Sequence, residues 1–347
     1  EIKKYNPRPL SDIVKLSSNE NPYGPSEKVR NAIVDSFEDA CRYPYEYILK
    51  LQNILAKKHD VSPESIVITG GSNEALRVTG LAVADQGGEI VAGKPTYLAL
   101  MSYAEAWGGK INWVPVDSNK GYDLVEIQKN INEKTKMVFI ANPNNPTGTW
   151  VSRKEIIHFM NNVPSSVLVV LDEAYFEYVR SQHYPNGIDL QKDYQNLVVT
   201  RTFSKAYGLA GLRIGYSVSN PEIADLMNRI RQPFNVNSLS LVAASLALDE
   251  KEFLDESISI NADGMKFLEK TFVQLDLEYI RSAGNFLTVD LGQNALPIYE
   301  SLLQKGVIVR PIEVYGLPNH LRVSIGLSSE NERFSVALAE VLSNLQS

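Results

Sequence analysis

The 347 residues carry 34 Lys and Arg against 41 Asp and Glu, a formal net charge of −7, with 44% hydrophobic and 22% charged residues. This composition excludes a disordered or collagen-like chain and predicts a globular protein of roughly two domains. It also argues against non-specific nucleic-acid binding, which needs a basic face. The one cysteine, Cys41, permits no intramolecular disulfide and reads as a small buried filler. The histidines His59, His158, His183 and His320 show no metal-ligand spacing, so no metal is expected. No apolar run approaches the ~18 residues of a membrane span. The start, Glu1-Ile2-Lys3-Lys4, is mostly charged and gives no apolar signal region, so the expected setting is cytoplasmic and reducing, with no membrane partner.

Residues 1–30 are rich in Pro and Asn and read as an irregular arm that joins a smaller domain. Short apolar, β-branched runs then alternate with helix-length segments. They lie at 65–69, 89–92, 111–116, 137–141, 167–171, 197–200 and 213–218. Several lack polar/apolar alternation, which predicts strands buried on both faces. The pattern predicts an α/β domain over 31–235 with a mostly parallel, seven-stranded sheet. Beyond it, 223–249 and 251–275 read as helices. Strands are predicted at 286–291, 307–310 and 321–325, and a last helix at 329–345. That predicts a smaller α+β domain over 236–347.

Ligands of open parallel sheets bind beyond the carboxyl ends of the strands. After 65–69 comes Gly70-Gly71-Ser72-Asn73, a sharp turn into a helix start able to hold an anion; an ordinary strand-to-helix turn reads the same way. After 137–141 comes Asn142-Pro143-Asn144-Asn145-Pro146, a rigid loop or a plain turn. After 167–171 comes Asp172-Glu173-Ala174-Tyr175. A carboxylate ending an apolar strand needs a partner, either a buried ion pair or a cationic ligand. After 197–200 comes Arg201-Thr202-Phe203-Ser204-Lys205, where burial would lower the lysine's pKa and make it a nucleophilic amine. Arg213 follows eight residues on, at the start of the next strand. Together these supply an amine for an aldehyde, a carboxylate for a pyridinium, a phenol and a phosphate cradle. Pyridoxal phosphate has those needs.

The stretch TFSKAYGLAGLRIGY (202–216), with LSSNENPYGPS (16–26), RYP (42–44) and HLRVSIG (320–326), resembles the fold-type I, class II pyridoxal-phosphate aminotransferases. Within them it is similar to the histidinol-phosphate group. The resemblance runs from about residue 16 to the end. It implies that Lys205 binds the cofactor covalently, that Asp172 pairs with its ring nitrogen, and that Tyr175 and Asn145 hold its phenolic oxygen. Gly71, Ser72, Asn73, Thr202, Ser204 and Arg213 would receive its phosphate, and Tyr97 would stack on the ring. Tyr43 would reach the phosphate in the other subunit, making a homodimer with shared sites. Arg322 would bind the substrate's anionic group, helped by Arg310 and Tyr23. The implied reaction moves an amino group between L-histidinol phosphate and 2-oxoglutarate. An aromatic-amino-acid aminotransferase and a threonine-phosphate decarboxylase remain alternatives on the same residues. A non-catalytic pyridoxal-phosphate-binding regulator would usually carry a DNA-binding domain as well. No G-x-G-x-x-G follows a strand, which counts against a nicotinamide-dependent dehydrogenase.

Overall fold

The computed structural model describes residues 12–84 and 87–346, so the first part of the expected arm, 1–11, lies outside them. In chain order come β1 (Val14–Lys15), α1 (Glu27–Asp35), α2 (Tyr45–His59), β2 (Ile66–Thr69), α3 (Ser72–Ala84) and β3 (Glu89–Lys94). Then follow α4 (Ala99–Ala106), β4 (Lys110–Pro115), α5 (Leu124–Lys129), β5 (Thr135–Ala141), α6 (Arg153–Met160), β6 (Leu168–Asp172), α7 (Gly187–Gln191), β7 (Leu197–Thr202) and β8 (Gly215–Val218). The last part holds α8 (Pro221–Ile230), α9 (Ser238–Ala247), α10 (Lys251–Gln274), β9 (Tyr279–Ile280), β10 (Phe286–Asp290) and α11 (Ala295–Gln304). It ends with β11 (Val307–Ile308), β12 (Arg310–Ile312), β13 (Leu317–Ser324) and α12 (Ser328–Gln346).

Strands β2 to β8 form the seven-stranded sheet in the order β2-β8-β7-β6-β5-β3-β4. Only β8 runs against its neighbours, β2 and β7. All six other strands therefore point the same way. Alternate residues of each strand enter two different cores. Val138, Ile140, Val169, Leu171 and Val199 pack on one face. Met137, Phe139, Val170 and Val198 pack on the other. Two covered faces explain why these strands read as unbroken apolar runs. Helix starts follow their side chains: Ser152 and Glu155 make a reciprocal capping box on α6, and Ser26 and Asn237 cap α1 and α9.

A third core joins β10, β11, β13, α10, α11 and α12. Leu16 and Val14 of the arm are buried in it, and β1 pairs with β11 in parallel. Tyr175, Tyr178, Ala206, Ile258 and Phe286 form a small cluster where the two larger bodies meet.

Four sequence expectations differ from the fold. The single helix expected over 223–249 is two, because the chain leaves helical geometry at Arg231 (ψ 153°) just before Pro233 and restarts at the Asn237 cap. The strand expected over 307–310 is split, with β11 bonded to β1 and β12 bonded to β13. Helix α9, placed by sequence in the smaller domain, buries Leu241, Ala243, Ala244 and Ala247 in the large-sheet core. Cys41 is exposed on a short turn rather than buried.

Candidate active site

The common direction of six strands gathers their carboxyl ends on one edge, and the expected residues follow from there. Beyond β2 lie Gly71, Ser72 and Asn73; beyond β3, Tyr97; beyond β5, Asn145. Asp172 ends β6, with Tyr175 just after it. Thr202 ends β7, with Ser204 and Lys205 beyond. A cavity of about 290 Å³ opens there. Ser72, Asn73, Tyr97, Asn145, Asp172, Tyr175, Thr202, Ser204, Lys205 and Arg213 all line it.

Each side chain is held. Thr200, opposite Asp172 in the β6–β7 register, donates its hydroxyl to Asp172 Oδ1 at 2.8 Å. Burial pushes the Asp172 carboxyl up from 3.8 to about 6, and the neighbouring Glu173 charge adds to this, against the Thr200 bond. Tyr97 donates its hydroxyl to Asn73 Oδ1 at 2.8 Å, fixing the ring beside the cavity. Arg213 is not in a strand. It precedes β8 in the left-handed region at φ 53°, and its guanidinium reaches Ser204 Oγ at 3.4 Å and the Ala210 carbonyl at 2.8 Å. Gly71, at φ 81°, leaves that guanidinium its place: a Cβ there would lie 2.8 Å from Arg213 Nη2. The N-terminus of α3, two hydroxyls and an arginine thus surround one end of the cavity, a donor set suited to a phosphate monoester.

Lys205 Nζ donates to the Ser18 carbonyl at 3.0 Å. Burial lowers its pKa from 10.5 to about 8, and the Arg322 and Arg213 charges press the same way, while Glu20 and Asp172 oppose them. A sizeable neutral fraction near neutral pH is what an amine nucleophile needs. Lys94, which ends β3 ahead of Tyr97, is exposed and lies over the Trp113 ring.

Arg322 is buried behind the cavity wall. It donates to Asn145 Oδ1 at 2.6 Å and to the Ser17 carbonyl at 2.7 Å, while its Nε is buried without a partner. Arg310 is its direct cross-strand partner, so both project from one face of the small sheet. Tyr23 and Tyr43 are not brought in. Tyr23 lines a neighbouring groove, and Tyr43 is 79% exposed and stacks on Phe234 at 4.5 Å.

Sequence reasoning did not find the strap from Ser17 to Asn21. Asn19 bonds the Tyr175 hydroxyl at 2.9 Å and the Ser324 hydroxyl, and Asn21 bonds the Ala206 carbonyl and Ser257. Nor did it find the buried network of Thr96, Tyr122 and Asn144, which ties the Tyr97 loop to the Asn145 loop. The NEN triplet was a signal for the first. Nothing local marked the second.

A family model, aminotransferase class I and II, matches residues 11–337. A histidinol-phosphate aminotransferase of Pseudomonas fluorescens is 48% identical over 330 residues, covering 95% of this chain and 89% of the relative. One from Haemophilus influenzae is 46% identical over 333 residues, covering 96% and 91%. The chain belongs to the histidinol-phosphate aminotransferases, within the class I and II family. Among solved structures, the Sinorhizobium meliloti histidinol-phosphate aminotransferase in complex with pyridoxal-5'-phosphate superposes with a TM-score of 0.93 at 29% identity, covering 99% of this chain and 94% of that one. The Porphyromonas gingivalis L-threonine-O-3-phosphate decarboxylase, at 22% identity and a TM-score of 0.83 over 95% of this chain and all of that one, shares the fold.

Proposed function

We propose that the protein moves an amino group between L-histidinol phosphate and 2-oxoglutarate with pyridoxal 5'-phosphate as cofactor, as a cytoplasmic homodimer serving histidine biosynthesis. The observation that carries this reading is the convergence of Lys205, Asp172, Tyr175, Asn145 and the Ser72–Ser204–Arg213 cradle on one cavity, in a chain 48% identical to a histidinol-phosphate aminotransferase. The donor set fits the cofactor: the cradle takes the dianion, Asp172 takes the ring nitrogen, and the Cβ-free turn at Gly71 keeps room for Arg213. When bound, the cofactor supplies an aldehyde to capture the substrate amine and a ring that accepts electrons from its α-carbon.

The protein's share is positioning and proton transfer. Tyr97 would stand against the ring, and Tyr175 and Asn145 would hold its phenolic oxygen. Asp172 keeps its charge beside the ring nitrogen, where a protonated partner replaces the lost solvation. Lys205 Nζ would take and return the proton of the substrate's α-carbon. Arg322, with one nitrogen still unbonded, holds the anion of either substrate, a phosphate or a carboxylate. Arg310 assists with the dianion, and Tyr23 approaches from the groove. The proposed division keeps an arm over 1–30, a large domain over 31–235 and a small domain over 236–347, with α9 assigned to the large domain on the support of its packing.

The homodimer is supported by an exposed apolar surface. Val34, Phe37, Tyr43, Tyr45, Leu49 and Phe234 are all exposed. A patch of this kind marks an interaction site, and a second copy that brought Tyr43 to the neighbouring cradle would explain an aromatic phenol left in solvent. The test is to add cofactor, reduce with borohydride and map peptides; the label is expected on Lys205, and a label on Lys94 or on none would overturn the assignment. Separate half-reactions with histidinol phosphate and with phenylalanine decide the substrate. Activity on phenylalanine alone would establish an aromatic aminotransferase instead.

A further inference from the structure

Two acids and two bases line the reaction cavity: Asp172 and Glu20, Lys205 and Arg213. In the proposed reaction Asp172, Lys205 and Arg213 each have a counterpart on the cofactor. Glu20 has none. It lies close enough to Lys205 to oppose the lowering of that amine's pKa. It is on the strap whose Ser18 carbonyl accepts from Lys205 and whose Asn19 bonds Tyr175, so its backbone is fixed beside the reacting groups.

Glu20 also walls a second hollow of about 430 Å³, shared with Lys15, Tyr23, Ala210 and Glu330. Glu20 and Ala210 line both hollows, so the Glu20 side chain stands at their shared boundary. The Glu20 carboxylate pairs with Lys15 Nζ at 2.7 Å, and the two side chains are 41% and 50% exposed. An ion pair this open to water holds little free energy and separates readily.

A substrate with its amine at Lys205 and its anion at Arg322 still has a third substituent on the α-carbon. That substituent is an imidazole in one half-reaction and a second carboxylate arm in the other. We infer that Lys15 and Glu20 form a two-way subsite for this substituent: Glu20 accepts a hydrogen bond from a heteroaromatic N–H, and Lys15 takes the carboxylate of the dicarboxylic substrate. Each ligand replaces one half of the existing ion pair, so neither state buries an unpaired charge. The inference rests on the proposed reaction.

The test uses the purified holoenzyme in single-turnover half-reactions with L-histidinol phosphate, its phenyl analogue L-phenylalaninol phosphate, and L-glutamate. In Glu20→Gln the preference for the imidazole over the phenyl compound falls about tenfold while the glutamate half-reaction is not slowed. In Lys15→Met the glutamate half-reaction falls by a similar factor and the histidinol phosphate one is spared. Glu20→Asp, which keeps the carboxylate, retains most of the preference. A pH profile adds a readout that loss of packing would not move. An imidazole titrates near 6.5, so the wild-type preference grows as pH falls from 8 to 6, and in Glu20→Gln it stays flat. The titratable and charged groups that share a hollow with Glu20 are Lys15, Tyr23 and Glu330 in the outer one and Lys205, Asp172, Arg213, Tyr97 and Tyr175 in the inner one. Equal loss on the imidazole and phenyl compounds in Glu20→Gln, or an unchanged glutamate rate in Lys15→Met, overturns the subsite while leaving the functional reading intact. A wild type inert toward histidinol phosphate overturns the functional reading, and the subsite with it.

Discussion

Asp172 illustrates how one side chain trades stability for chemistry. It is 4% exposed, and burial pushes its carboxyl from 3.8 to about 6, more than the Thr200 bond and the Lys205 charge pull it back. A folded-state pKa raised above the unfolded one gives stability that is present below pH 3.8 and lost as pH rises through about 6. That interval corresponds to on the order of 3 kcal/mol. Asp172→Asn should therefore raise the melting temperature of the cofactor-free protein relative to wild type at pH 7, and the difference should vanish near pH 4. Thermal melts of both proteins at the two pH values check this; an equal difference at both would show that ionisation is not the cause. The same variant, loaded with cofactor, should turn over roughly 10- to 150-fold more slowly, for the loss of about 1.5–3 kcal/mol of charge-assisted bonding to the ring nitrogen. Steady-state rates on the loaded variant decide it, and an undiminished rate would remove Asp172 from catalysis. At this scale the sequence was legible where a residue ended an apolar strand, as Asp172 does, or followed one closely, as Lys205 does. Thr200 was not, because its part is played across a strand register rather than along the chain. The strap residues were not, because their partners lie up to 305 positions away.

The small sheet shows what an element adds. Sequence places Arg310 and Arg322 near the ends of two strands, and only the pairing of β12 with β13 makes them opposite neighbours. Opposed residues of an antiparallel pair share a face, and each guanidinium feels the other: the Arg310 charge adds to the burial that lowers the Arg322 pKa. Two cations held together suit an anion of charge two better than one of charge one. Arg322→Ala should weaken both half-reactions by one to two decades in kcat/KM, at about 1.5–3 kcal/mol for a charge-assisted contact. Arg310→Ala should cost more with histidinol phosphate than with glutamate. Measuring kcat/KM for both substrates in both variants checks this, and losses confined to glutamate would reject a shared anion site. The strands of the large sheet were legible because burial on both faces leaves a purely apolar signature. The break between α8 and α9 was less so, since apolar spacing continues through Pro233, and the small-sheet register was not, because β11 and β12 are short and bond to different partners.

At the scale of the molecule, the unresolved tension is Tyr43. It belongs to a motif shared with the family, yet within one chain it stacks on Phe234 and lines neither the cavity nor the groove beside it. Around it lie other exposed apolar side chains on α1, on α2 and in the turn between them. Water contact at so many large apolar groups is costly, and a symmetric partner would remove it. A two-fold dimer repeats every contact twice, so a Tyr43 that reaches the neighbour's cradle does so in both directions. This separates the two defects of a mixed dimer. Lys205→Ala leaves Tyr43 to serve the partner's site, and Tyr43→Ala leaves Lys205 to work in its own. In the heterodimer one site carries both defects and the other carries neither. After subunit exchange of equal amounts, half of the dimers are mixed and each has one intact site of two, so activity should recover to roughly a quarter of wild type. Each parent alone should remain strongly impaired. The measurement is turnover before and after exchange, with exchange itself followed by native mass spectrometry of differently tagged chains. Exchange without recovery would place each site wholly within one chain and leave the exposed aromatic surface to some other contact.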